Sequence, residues 1–174
     1  MKLLAYEVDK RPFLGVFNEN ETWAYPISAA GMEYRSMKDL IREAGPSEME
    51  MLDYISKKAP GDVNGAAPVE EIRIVSPIPE PDQDIICLGI NYMDHAAESA
   101  RFQKEEFARP EKAIYFSKRV NRTNDPDGII PAHKNLTNQL DYEAELAVII
   151  KKDAKDVKPE EVKDYIFGYT IMND

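Results

Sequence analysis

Cysteine is nearly missing from this chain. Cys87 is the only one in 174 residues, so no internal disulfide can form and the protein suits a reducing compartment. Glycine is sparse as well: its eight residues are scattered and never form a Gly-x-Gly pair, which removes the dinucleotide and phosphate loops from consideration. No apolar stretch approaches the roughly 20 residues that span a bilayer, and no basic-plus-apolar leader opens the chain. Positive charge is short. Lys and Arg number 22 against 32 Asp and Glu, for a net charge of −10. Nucleic acid and anionic membrane are therefore poor partners, and a cytoplasmic location is expected. Asn-x-Thr triplets begin at Asn20, Asn121 and Asn135, and without a secretion signal they carry no weight. What is present is a 43% hydrophobic content, enough to bury a core in one large or two small domains.

Periodicity organises the chain into a small amino-terminal unit and a second unit. Strands are expected at 2–8, 12–18 and 22–26, separated by the turns at 9–12 and 18–22. A helix is expected over 36–44, capped by Ser36, with Met37, Leu40 and Ile41 on one face. A second is expected over 47–58, with Ser47 opening a capping box. After a short strand at 71–75, the stiff run Pro77-Ile78-Pro79-Glu80-Pro81 marks a connector. The domains are accordingly set at 1–75 and 76–174. In the second, the unbroken apolar run at 84–89 reads as a buried strand, followed by a helix at 92–100 and a strand at 113–116. The polar span 117–138 is long enough to be a functional or mobile loop. A strand at 142–150, a short helix near 159–163 and a strand at 165–172 complete the order.

The most informative residues are Glu143 and Glu145 in Asp141-Tyr142-Glu143-Ala144-Glu145-Leu146. Two apart on a strand, they leave one face about 7 Å from each other. On spacing alone, a solvated edge strand bearing two glutamates is the ordinary explanation. A divalent ion between them is the alternative, and all-oxygen ligation favours Mg²⁺, Mn²⁺ or Ca²⁺ over Zn²⁺. His95 and Glu98 fall at i and i+3 on the helix opened by Asn91, so the carboxylate can orient the imidazole for proton transfer. Alone, this pair is equally a surface contact. Asp174 ends the last strand, where a turn aspartate is commonplace. His133, in the long loop, reads as a solvated residue, and Trp23 and the methionines read as packing.

Four ordered blocks together resemble the fumarylacetoacetate hydrolase superfamily. They are Leu88-Gly89-Ile90-Asn91-Tyr92-Met93-Asp94-His95-Ala96-Ala97-Glu98, Tyr115-Phe116-Ser117-Lys118, Asp141 to Val148, and Phe167 to Asp174. The resemblance implies an α+β, mostly β fold: a small amino-terminal α+β domain followed by part of a mixed β-roll or barrel. It implies a metal site of Glu143, Glu145 and Asp174 for Mg²⁺ or Mn²⁺, a His95/Glu98 dyad that activates water, and Lys118 as a substrate-holding residue. Arg119 stands where many members have proline. The implied chemistry is hydrolytic cleavage of a carbon–carbon bond in a 2-keto or β-diketo acid of acylpyruvate or fumarylacetoacetate type, through a metal-stabilised enolate. Isomerisation or decarboxylation of 2-hydroxyhepta-2,4-diene-1,7-dioate-type dienoic acids at the same site remains open, as does an inactive fragment with an assembly role. Aromatic catabolism and a homodimer are the associated expectations. Family barrels continue beyond the Asn-Asp pair, so this sequence reads as a fragment, a shortened form of a longer chain, or a chain completed by a second polypeptide.

Overall fold

The computed structural model describes residues 1–89, 91–92 and 112–174. Two apolar strands of alternating pattern, β1 (Leu3–Val8) and β2 (Arg11–Phe17), meet through a two-residue loop that pairs Val8 with Arg11. Asp9 and Lys10 both take positive φ, 50° and 64°, the geometry whose twist matches that of the flanking strands. The chain continues through β3 (Trp23–Pro26), helix α1 (Met37–Glu43), helix α2 (Pro46–Ser56), the two-residue β4 (Ala67–Pro68) and β5 (Arg73–Val75). These strands form one sheet in the order β4-β3-β2-β1-β5, with every described pairing antiparallel.

Both faces of this sheet are covered at its centre. Leu4, Tyr6 and Ala24 bury on one face against Val8, Phe17, Ile72 and Ile74, and the Tyr6 ring stacks on Phe13 at 5.5 Å. On the other face, Val16 and Tyr25 are fully buried, and the Tyr25 hydroxyl donates to the Lys58 carbonyl just beyond α2. Leu40 and Leu52 are each fully buried on their helices, as the helical spacing requires. Gly15 sits where nothing larger fits: an added Cβ would lie 2.6 Å from the Tyr25 carbonyl oxygen and 2.8 Å from the Tyr6 ring.

Ser36 caps α1 as expected, its Oγ accepting from the Asp39 N–H at 3.1 Å. The start of α2 differs from expectation. Its cap is Gly45 and not Ser47, because Pro46 brings a preset φ and no N–H to the first helical position. Glu48 then reaches back to accept the Gly45 N–H at 2.8 Å. The same carboxylate accepts the Tyr34 hydroxyl at 2.6 Å. The Tyr34 hydrogen bond, seconded by that of Gly45, holds Glu48 below its ordinary 4.5, and pushes Tyr34 up to about 12.

Beyond β5 the described residues fall into two compact units. One comprises Met1–Pro77 with Asn124–Asp174; the other is Ile78–Thr123. In the latter, β6 (Ile85–Gly89) pairs antiparallel with β7 (Ile114–Lys118). The apolar run at 84–89 was expected to be buried. Instead Ile86 is 68% exposed and Leu88 44%, because within this unit β6–β7 is a two-stranded ladder with no described layer on that side. The first unit resumes at Asn124, and the next residue, Asp125, accepts from the Ser76 N–H at 2.9 Å and from Arg73 at 2.6 Å, while Arg73 also reaches Glu7 at 2.9 Å. The long loop is thus anchored on β5. It leads to β8 (Ala144–Ile150), a 3₁₀ turn at Pro159–Asp164 and β9 (Ile166–Asn173), which pairs antiparallel with β8. The expected helix at 92–100 lies outside the described residues, apart from Tyr92 at its start. Among the described residues, no helix is long and apolar enough to cross a membrane.

Two outcomes follow. Gly15→Ala is expected to cost about 1–3 kcal/mol or more in urea unfolding, since the obstacle includes backbone. Tyr34→Phe removes the main cause of the low Glu48 value. A carboxylate with a depressed pKa stabilises the fold above its unfolded value and loses that contribution as pH falls through the folded one. The stability gap between wild type and Tyr34→Phe is therefore expected to be widest above the ordinary value of 4.5 and to close in acid, measured by denaturant midpoints across pH.

Candidate functional site

Register is what gathers the acidic residues. In the β8–β9 ladder Ala144 lies opposite Asn173, Glu145 opposite Met172, and Ala147 opposite Thr170. One step before Ala144 and one after Asn173, Glu143 and Asp174 face each other, joined by a 2.8 Å bond from the Asp174 N–H to the Glu143 carbonyl. Residues directly opposite share a face, as do residues two apart on one strand. Glu143, Glu145 and Asp174 therefore all belong to one face at one end of the ladder. The burial pattern follows the same alternation, with Glu145, Ala147 and Ile149 half-buried between exposed neighbours.

The opposite face is apolar and open. Leu146 is 61% exposed, Tyr169 63% and Ile171 81%, and Val148 and Ile150 lie in the same row. A half-exposed apolar ladder of this kind resembles a sheet surface awaiting a covering layer more than a solvated edge.

The Glu143 backbone is held twice. Besides the bond to its carbonyl, its own N–H donates to the Asn173 side-chain oxygen at 3.1 Å. Asn173 was not singled out in the sequence. The available signal was an asparagine directly before a strand-end acid, a residue type that bonds to nearby backbone and interrupts regular ladders.

Lys118 ends β7 opposite Ile85, with its Nζ 6.0 Å from the centre of the Phe116 ring, at the outer limit of a cation–π contact. His95 and Glu98 lie outside the described residues, and of the remaining residues only Glu143, Glu145 and Asp174 share a strand face. His133 is exposed, at φ 44°, and its carbonyl accepts from the Leu136 and Thr137 N–H groups.

The Fumarylacetoacetate (FAA) hydrolase C-terminal family model matches residues 84–174, more than half of the chain. The chain belongs to the fumarylacetoacetate hydrolase superfamily. It is 40% identical over 119 residues to oxaloacetate tautomerase YisK of Bacillus subtilis (strain 168), a match covering 67% of this chain and 38% of that protein. An uncharacterized protein of Staphylococcus aureus (strain USA300) is 36% identical over 186 residues, covering all of this chain and 59% of the relative. Among solved structures, fumarylacetoacetate hydrolase (EaFAH) from psychrophilic Exiguobacterium antarcticum aligns with a TM-score of 0.65 at 28% identity, over 100% of this chain and 55% of that one. A Mycobacterium smegmatis structure at 22% identity and TM-score 0.59, covering 98% of this chain and 54% of its own, shares the fold. The chain thus spans less than two thirds of the length of these relatives. The mostly β architecture with few helices is that of the superfamily.

Superfamily members are enzymes, and they generally use divalent metals. The three acidic residues fit such an ion in donor chemistry and in backbone placement: carboxylate oxygens only, on one face, with two of the three side by side across the ladder. Their side chains are not drawn in. Among the described residues, no three His, Cys, Asp or Glu side chains are grouped closely enough to hold an ion.

The apolar face yields an expectation of its own. Leu146→Thr combined with Ile171→Thr should lower binding of a hydrophobic fluorescent dye while changing stability by no more than about 0.5 kcal/mol, the range of exposed substitutions.

Proposed function

We propose that this chain forms the acidic, metal-holding part of a divalent-metal-dependent enzyme acting on a 2-keto acid. The observation that carries this reading is the placement of Glu143 and Asp174 opposite each other, with Glu145 on the same face, in a chain of this family. Glu143, Glu145 and Asp174 are the proposed ligands, with Mg²⁺ or Mn²⁺ as the ion. When bound, the ion supplies Lewis acidity toward the adjacent carboxylate and carbonyl oxygens of the substrate.

The remaining roles fall to the chain's own residues. His95, oriented by Glu98, takes or returns the proton on the carbon beside the carbonyl, and Lys118 offers its ammonium to a substrate carboxylate. These assignments rest on the motif match at those positions. In domain terms, residues 1–75 form the small amino-terminal domain and 76–174 an incomplete catalytic domain of a cytoplasmic homodimer.

Two reactions share this proton transfer. Keto–enol tautomerisation is favoured by the resemblance to a Bacillus subtilis protein named for that activity on oxaloacetate. Hydrolysis of a carbon–carbon bond additionally requires His95 to activate a water, and is favoured by the family description and by the Exiguobacterium antarcticum hydrolase.

The test has a binding arm and a turnover arm. Calorimetric titration of the 174-residue chain with Mn²⁺ is expected to show one site that Glu143→Gln removes. The protein extended to the length of its relatives is expected to interconvert oxaloacetate keto and enol forms, or to cleave an acylpyruvate, and to stop when EDTA is added. Turnover that persists in Glu143→Gln with EDTA present would overturn the metal role; acylpyruvate cleavage without tautomerisation would decide for the hydrolase.

A further inference from the structure

Asn64 is the one asparagine of this sequence that is followed by glycine. The pair fills the two central positions of the turn 63–66, closed by the Ala66 N–H donating to the Val63 carbonyl at 3.2 Å. Gly65 takes φ 76°, which a type II turn demands at its third residue. Both residues are exposed and stand just before β4, at the edge of the five-stranded sheet. Among the described residues, the Gly65 N–H donates to no acceptor and the Asn64 side chain makes no hydrogen bond. Lacking a Cβ, Gly65 lets the 64–65 peptide plane rotate, which brings its nitrogen toward the Asn64 side-chain carbon. A second turn, 125–128, supplies the contrast. It ends in Asp127 and Gly128, but there the glycine N–H is engaged, donating to the Asp125 carbonyl at 2.9 Å, and the Asn124 side chain lies against Gly128.

We propose that Asn64 is a self-modification site, converted to aspartate and isoaspartate through attack by the Gly65 nitrogen. That nitrogen gives its proton to solvent base and bonds to the Asn64 side-chain carbonyl carbon. The side-chain nitrogen leaves as ammonia, and a cyclic imide remains. Water then opens the imide: addition at the side-chain carbonyl yields aspartate, and addition at the main-chain carbonyl yields isoaspartate, with one more methylene in the backbone. Neither step oxidises or reduces anything. Either product adds one carboxylate, taking the net charge of −10 to −11. The isoaspartyl product also lengthens the turn that delivers β4 to β3.

The test follows the folded chain in mildly alkaline buffer by peptide mass spectrometry, with isoaspartate read by a protein-isoaspartate methyltransferase. Wild type is compared with Asp127→Asn, which carries a second Asn-Gly pair whose glycine nitrogen is hydrogen-bonded. Position 127 is exposed and asparagine accepts its φ of 60° as readily as aspartate, so the fold should be kept. Exchange of the side-chain NH₂ for OH is expected at position 64, rising in proportion to hydroxide and lost in Asn64→Ser. In Asp127→Asn, position 64 is expected to react about fivefold faster than position 127, the factor that one backbone hydrogen bond ordinarily contributes. The two rates are expected to converge in urea. Asn64 that stays intact in the folded chain while reacting in urea overturns the proposal. Reaction at position 127 as fast as at position 64 in the folded chain overturns it too, because the unengaged Gly65 N–H then makes no difference.

Discussion

The pairing register of β8 with β9 is the constraint on which the acidic site depends. Strand side chains alternate with a period of two, so a slip of one residue would send Glu145 to the apolar face and bring Leu146 to the acidic one. The observed register avoids this by aligning two alternations, Glu143-x-Glu145-x-Ala147 on one strand and Met172-x-Asp174 on the other. Each strand carries an apolar row on its second face, and the two rows coincide: Leu146 against Ile171 and Val148 against Tyr169. Matching apolar rows fix the register, and the register in turn places the carboxylates.

Legibility in the sequence followed the strength of these periodic signals. The first two strands and the turn between them, the Ser36 cap, and β8 and β9 as separate strands were readable because alternation, capping chemistry and turn composition agreed. The start of α2 was misread because Ser47 is a strong capping residue by type. The rigidity of Pro46 places the cap at Gly45, two residues earlier than side-chain preference suggests. The burial of β6 was misread for a different reason. An apolar run reports the surface a strand can bury, not the presence of a layer to cover it. Asn173 was passed over since its bond to the Glu143 N–H is a single side-chain-to-backbone contact, which alternation does not report.

The amino-terminal unit and the hairpin achieve stability by different means. Around Tyr6, Val16 and Tyr25 the five-stranded sheet is packed on both sides, tightly enough that Gly15 has no room for a methyl group. The β8–β9 ladder has its backbone bonds but only partial burial on either face. A two-stranded ribbon gains little independent stability in water. The chain spans only 59% of its staphylococcal relative.

Asp125 has a topological meaning beyond its two bonds. It holds the segment that follows residue 123 to Ser76, just past β5, while within 78–123 Thr123 is fastened to Ile78 and Pro79. Entry and exit are thus stapled on both sides of the junction, and the excursion between them is closed as a loop in its own right. Because the conformational penalty of closing a loop grows only with the logarithm of its length, such a doubly fastened neck lets evolution lengthen, shorten or exchange the excursion at small thermodynamic cost to the sheet from which it departs.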